Sequence, residues 1–344
     1  MTSDVLNYPD DTMIGDAPLV DRFGGEEHVS KRKRRFGRHH VGQRKTPWYI
    51  AFKRDWRLYS MALLPLTQII LFSYVSMFGA IIAFRRFRAG GPLWGDEFVG
   101  LQFFRMAFAT PAFWQAFRNT IILGGLWFII GFPLPIILAL LLNEVRSRKF
   151  KRTVQTITYL PHFLSIVIVA GLVLQLTTAT GSINQLLEFF GLNRILFMQH
   201  ASWFRPIWII SEAWQTVGWG TILYLAALST IDDGLYEAAR IDGANRWQQT
   251  WHVTLPGIRP TIVTLMVLNV GTFMAVGFEK VLLLQNPLNM ATGDVISTWL
   301  FRVGIGGGQF SLATAVGLAQ SVIGLILILT TNFISRKLVG SSLW

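Results

Sequence analysis

Asp232-Asp233-Gly234-Leu235-Tyr236-Glu237-Ala238-Ala239-Arg240-Ile241-Asp242-Gly243-Ala244-Asn245-Arg246-Trp247, then 248–254 and Leu255-Pro256, is a long polar interruption between two apolar runs. Asp232 can open a helix by accepting backbone N–H groups near Leu235. Ala238 and Ala239 propagate it, and Gly243 permits a sharp backbone change. Trp247, Trp251 and Leu255 fall at i, i+4 and i+8, an apolar stripe expected to be buried on a second helix. Pro256 and Pro260 are expected to end that helix and open the next apolar run. The stretch reads as two short helices joined by a glycine turn, with one face offered to a partner.

The surroundings of this loop are a membrane protein's. The chain is 52% hydrophobic, with a mean hydropathy of +0.43 and only 15% charged residues, against roughly a quarter in soluble domains. Six windows approach the ~20 apolar residues that a bilayer crossing needs. They lie at about 58–84, 119–143, 153–180, 206–231, 260–278 and 310–335 within a permease domain at 58–338. The fold expected is all-α and six-spanning, with the loop at 232–259 between the fourth and fifth spans. With a cytoplasmic N-terminus, 22 of the 31 Lys and Arg fall on the inner side and 9 on the outer. This satisfies the positive-inside rule and puts both termini and the loop in the cytoplasm.

The first thirty residues carry seven acids and one base, Arg22, with no signal-like apolar run. Segment 1–46 is expected to be a disordered tail, acidic and then basic from Lys31. Segment 47–57, where aromatics alternate with bases, is expected to form an amphipathic helix in the membrane interface. A short tail at 339–344 closes the chain. The net charge of +12 is read as headgroup attraction and not nucleic-acid binding, because the bases adjoin apolar runs.

Glu237-Ala238-Ala239, three residues, Gly243, nine residues and Val253-Thr254-Leu255-Pro256 resembles the EAA loop of binding-protein-dependent ABC importer permeases. That family has Ile where Val253 stands. Over 58–344 the chain also resembles the polysaccharide-type sugar permeases, at Asn143-Glu144-Val145-Arg146, 159–165, Gln309-Phe310-Ser311, 313–317 and Ser342-Leu343-Trp344. The resemblance implies the type I importer permease fold in the cell (inner) membrane and import of an oligosaccharide delivered by an external solute-binding protein. It implies a second homologous permease and two ATP-binding subunits, which carry the ATP and Mg; no cofactor is expected on this chain. It also implies that Glu237, Ala238, Ala239, Asp242, Gly243, Leu255 and Pro256 couple the chain to the ATPase.

Polar groups inside spans usually face a protein interior or a wet path. On that ground Glu212, Gln215, Asn269 and Gln175 are candidates for the substrate path, with Trp214 among the tryptophans near Glu212. Each tryptophan can equally anchor an interface, and Glu212 and Asn269 can equally bond a neighbouring helix. Glu279 and Lys280 are expected at the outer end of the fifth span, paired with each other or facing the binding protein. The run 304–308 is expected to be a flexible outer loop; no Lys-Ser/Thr follows it, so it is no phosphate cradle. Zero cysteines and scattered histidines leave no metal site, and no catalytic motif occurs. The rival reading is an ion-driven secondary transporter, which would call for internally repeated halves.

Overall fold

The computed structural model describes residues 48–92 and 94–339. The tail expected at 1–46 and the motif Ser342-Leu343-Trp344 lie outside the described residues. Contacts divide the chain into two units, Met1–Leu63 and Leu64–Trp344. In the first, the described residues belong to helix α1 (Trp48–Ile69), which kinks at Asp55 (φ −106°, ψ 18°) beside the Arg54–Asp55 ion pair.

The second unit is all-helical apart from one antiparallel bridge, Arg85 to Phe98, among the described residues. After α2 (Val75–Phe78) and α3 (Gln102–Ala109) come α4 (Pro111–Gly131) and α5 (Pro133–Glu144). Pro111 sits in the first turn of α4, where its missing N–H costs nothing. Next are α6 (Arg148–Tyr159), α7 (Ile166–Leu176), the short α8 (Ser182–Phe189) and the 28-residue α9 (Ala201–Leu228). The interruption at 232–254 holds α10 (Asp233–Ile241) and α11 (Arg246–Gln249), leading into α12 (Leu255–Gly271). Three short helices, α13 (Phe278–Leu284), α14 (Met290–Gly293) and α15 (Ile296–Leu300), precede α16 (Phe310–Val339).

Four stretches are long and apolar enough to cross a membrane: Phe52–Phe84, Pro111–Glu144, Arg246–Gly271 and Phe310–Lys337. Between 6% and 22% of their apolar windows is buried, so most of that apolar surface points outward, as a hydrocarbon solvent requires. Helix α9 is long enough too, but Arg205, Glu212 and its interleaved Ser, Gln and Thr make it more polar.

The third expected span, 153–180, is not one straight helix. Pro161 falls in a 3₁₀ turn, Leu164 is extended, and the Ser165 side chain accepts from Ile168 N (3.3 Å) to start α7 afresh. The resulting bend is 101°. The fifth, expected at 260–278, begins earlier and ends earlier: helix runs unbroken from Arg246 to Gly271. Proline does not stop it because Thr250–Thr254 is a π turn. There Leu255 N bonds Thr250 O, so the ladder is already opened by one residue where Pro256 lacks its N–H. The glycine run at 304–308 is open only from Gly307. Phe301–Gly306 continues α15 as a π turn, and a Cβ on Gly304 would lie 2.6 Å from Ala313 Cβ.

The core joins α9 to its neighbours. Leu123, Phe204, Trp208, Val281, Leu284 and Val295 form one buried cluster, and Ala139, Tyr224, Leu228 and Ile258 another. Gly218 on α9 lets α6 approach so closely that a Cβ there would sit 2.0 Å from the Thr158 carbonyl oxygen. Small residues at helix crossings serve close backbone packing where lipid supplies no hydrophobic contrast.

Candidate functional site: a polar finger and an interior cavity

The polar finger builds itself from local chemistry. Asp232 caps α10, its Oδ1 accepting from Gly234 N (3.0 Å), one residue nearer than Leu235. Asp233 in the first turn and Arg240 in the last match the helix dipole. The helix closes on Gly243 at φ +79°, with Gly243 N to Arg240 O (3.1 Å) and Ala244 N to Ala239 O (2.9 Å). That paired closure requires the left-handed conformation that glycine adopts freely. Asn245 and Gln248 then form a reciprocal capping box that starts α11. Tyr236 Oη and Thr254 Oγ1 (3.0 Å) tie the two helices together, and Arg246 Nη1 reaches Glu144 Oε2 (2.5 Å) at the end of α5.

Within this fixed frame Glu237, Ala238, Asp242 and Pro256 are exposed, while Ala239 and Leu255 are half-buried. Trp247 and Trp251 were expected to be buried; they are 70% and 51% exposed and stack edge-to-face 5.9 Å apart. Nothing among the described residues covers them, so the stripe at 247 and 251 is an outward-facing apolar surface.

A second feature is an interior cavity of about 470 Å³ between α4, α5, α9, α12 and the segment 272–277. Trp127, Trp208, Trp219, Tyr224, Glu212 and Asn269 are on its wall. Glu212 is held by Lys280, whose Nζ donates to Glu212 Oε2 at 2.5 Å and whose side chain is 1% exposed. Lys280 therefore pairs with Glu212 on α9 and not with the adjacent Glu279. The reason is that α13 starts after the break at 272–277 and buries Lys280 together with Val281 and Leu284. Trp208 Nε1 is buried without a hydrogen-bond partner among the described residues. His162 stacks flat on Trp219 at 4.5 Å (5° between planes).

Of the five path candidates, the cavity brings together Glu212 and Asn269. Gln215 is buried elsewhere, donating to Leu164 O (3.3 Å) and so bracing the elbow between α6 and α7. Trp214 is 48% exposed and Gln175 is exposed at the end of α7, both off the cavity wall. Sequence reading missed Trp127, Tyr224 and the buried role of Lys280. An aromatic in an apolar span carries no mark of the face it presents. Lys280, in contrast, stood out as a charge among apolar residues. Among the described residues no His/Cys/Asp/Glu group could hold a metal ion.

Comparison with known proteins gives this geometry a family. The chain is 44% identical to Protein LplB of Bacillus subtilis over 291 residues, 84% of this chain and 92% of that protein. It is 44% identical to the polygalacturonan/rhamnogalacturonan transport system permease protein YteP of the same organism over 281 residues, 81% and 88% of the two chains. A chain in the crystal structure of a bacterial alginate ABC transporter, in complex with alginate pentasaccharide-bound periplasmic protein, superposes with a TM-score of 0.79 at 42% identity. That match covers 86% of this chain and 99% of the other. Residues 131–340 match the family described as "Binding-protein-dependent transport system inner membrane component", so this chain belongs to the membrane permeases of ABC importers, and it is not itself the catalytic subunit.

Proposed function

We propose that this chain forms, with a second permease chain, the path by which an oligosaccharide delivered by an external solute-binding protein enters the cell. The observation that carries the reading is the 42% identity and 0.79 TM-score to the alginate importer chain, sustained over 99% of that chain. In this reading the chain crosses the membrane six times, α9 and the α6–α7 pair each supplying one crossing, with both termini cytoplasmic. The interior cavity supports a sugar path: aromatic faces stack on sugar rings and polar side chains bond hydroxyls. Glu212 and Asn269 serve there, whereas Gln215, Trp214 and Gln175 act in packing or at the surface.

The finger at 232–259 is the coupling element. One of the two partner ATPase subunits, which hold ATP and Mg, grips it through Glu237, Ala238, Ala239, Asp242 and Gly243, while Leu255 and Pro256 carry the motion into α12. The support for transmission is the uninterrupted helix from Arg246 to Gly271, which joins the second helix of the finger to the span. The exposed Trp247–Trp251 pair provides apolar area for such a contact.

The test is uptake into vesicles of controlled interior, with ATP supplied and the proton gradient collapsed. Uptake of binding-protein-delivered oligosaccharide continues under the importer reading. Uptake that stops with the gradient and ignores ATP points instead to an ion-driven secondary transporter.

A further inference from the structure

A second cavity, of about 540 Å³, opens between the N-terminal turns of α4 and α9 and α14. Its wall includes Arg118, Arg205, Asn119, Gln115 and Trp114, with no acidic residue. Arg205 Nη2 donates to Asn119 Oδ1 (2.9 Å), but Arg205 Nε is buried and has no partner among the described residues. Arg118, exposed, makes no hydrogen bond or ion pair among the described residues. Asn119 itself is fixed, its Nδ2 donating to Ala291 O (3.1 Å) and Asp294 O (3.0 Å). The nearby carboxylate of Asp294 is already engaged by Arg302 (2.5 Å) and Thr298 (2.9 Å), so it does not neutralise the pair.

Two guanidinium groups facing one cavity repel each other, and a buried N–H without an acceptor costs free energy on its own. The repulsion falls when an anion enters between the two guanidinium groups. A guanidinium fork matches a carboxylate in two parallel hydrogen bonds. Trp114 adds an aromatic wall fixed by its own bond from Nε1 to Phe108 O (2.8 Å). An aromatic wall, side-chain amides and paired arginines together suit a sugar ring that bears a carboxylate, where a neutral sugar would leave the arginines unsatisfied.

We propose that Arg118 and Arg205 form a carboxylate-binding subsite for uronate units of an acidic oligosaccharide. It stands at the ends of α4 and α9 that face outward in the orientation proposed above. The inference rests on the importer reading and adds a substrate class to it. Neither arginine was among the sequence candidates, because each looks like an ordinary flanking cation until the fold brings the two to one cavity.

The experiment measures binding of trigalacturonate, and separately of neutral maltotriose, to the purified complete importer in nanodiscs without the binding protein. Arg118 breaks no internal contact when changed, so Arg118→Gln is the main variant and Arg118→Lys its conservative control. Arg118→Gln is expected to weaken trigalacturonate binding about tenfold, the usual scale for a lost charge-assisted bond. Arg118→Lys is expected to recover part of the loss, and maltotriose binding is expected not to change. Wild-type affinity for trigalacturonate is expected to fall as salt rises. Unchanged trigalacturonate affinity in Arg118→Gln, or an equal loss for both sugars, overturns the subsite. So does a defect confined to ATP hydrolysis stimulated by the binding protein, which assigns the arginines to protein docking. The importer reading is judged separately, by ATP-driven uptake in vesicles, and survives any of these results.

Discussion

Single residues in this chain act through the backbone as often as through chemistry. Gly243 sits at φ +79°, and proline is locked near −65°. Gly243→Pro therefore removes the closure of α10, and transport and transport-linked ATP hydrolysis are expected to fall to background while the chain still inserts. Membrane fractionation beside an uptake assay separates the two; uptake at the normal rate would refute the coupling role. Gly218 is constrained by packing and not by φ. Its missing Cβ lies 2.0 Å from the Thr158 carbonyl oxygen, where only backbone movement could make room. Gly218→Ala is expected to destabilise by about 1–3 kcal/mol, the ordinary cost of overpacking, seen as a lower melting temperature of the solubilised complex. The sequence displayed both glycines, but it marked only Gly243, through its place in a motif. The Thr158 contact spans sixty positions and has no local trace.

At the scale of elements, the ion pair between α9 and α13 matters most. Lys280 is fully buried and Glu212 retains 21% side-chain exposure on the cavity wall. Removing one partner leaves the other charge uncompensated, at about 3 kcal/mol, the low end for a buried pair because Glu212 is partly solvated. Glu212→Ala is thus expected to lower both uptake and thermal stability. Glu212→Ala with Lys280→Met is expected to regain stability without regaining uptake, if Glu212 serves the path. A double variant with normal uptake kinetics would confine the pair to a packing role. The elements themselves were legible to differing degrees. Apolar run length pointed to 119–143 and 310–335, because lipid demands long charge-free stretches, and helices run over Pro111–Glu144 and Phe310–Lys337 there. The elbow at Pro161–Ser165 and the passage of helix through Pro256 were not legible. Both depend on how the backbone redistributes hydrogen bonds around proline, and that is settled by packing partners as much as by the proline.

At the scale of the whole molecule, the chain shows too much apolar surface to be stable in water. Large side chains such as Leu64, Phe72 and Phe78 are 66–77% exposed. The exposed Trp247–Trp251 pair lies at the other extreme of use, on a polar finger where lipid is not the expected cover. Trp247→Ala with Trp251→Ala is expected to weaken co-purification of the ATPase subunits at least tenfold, two lost aromatic anchors exceeding the tenfold step of about 1.4 kcal/mol. Undiminished recovery of the ATPase with this variant would remove the pair from the contact.

What the sequence determined alone was the class of molecule and the position of its polar interruption. Hydropathy, charge asymmetry and the spacing from Glu237 to Pro256 are properties of the chain written in order, and they need no partner to be read. What only the tertiary structure decided was which polar groups meet. Glu212 finds Lys280 across 68 positions, Arg118 shares a cavity with Arg205, and Gln215 turns away to hold an elbow. A helix shows all its faces to the reader of a sequence, and only the neighbour packed against it selects one.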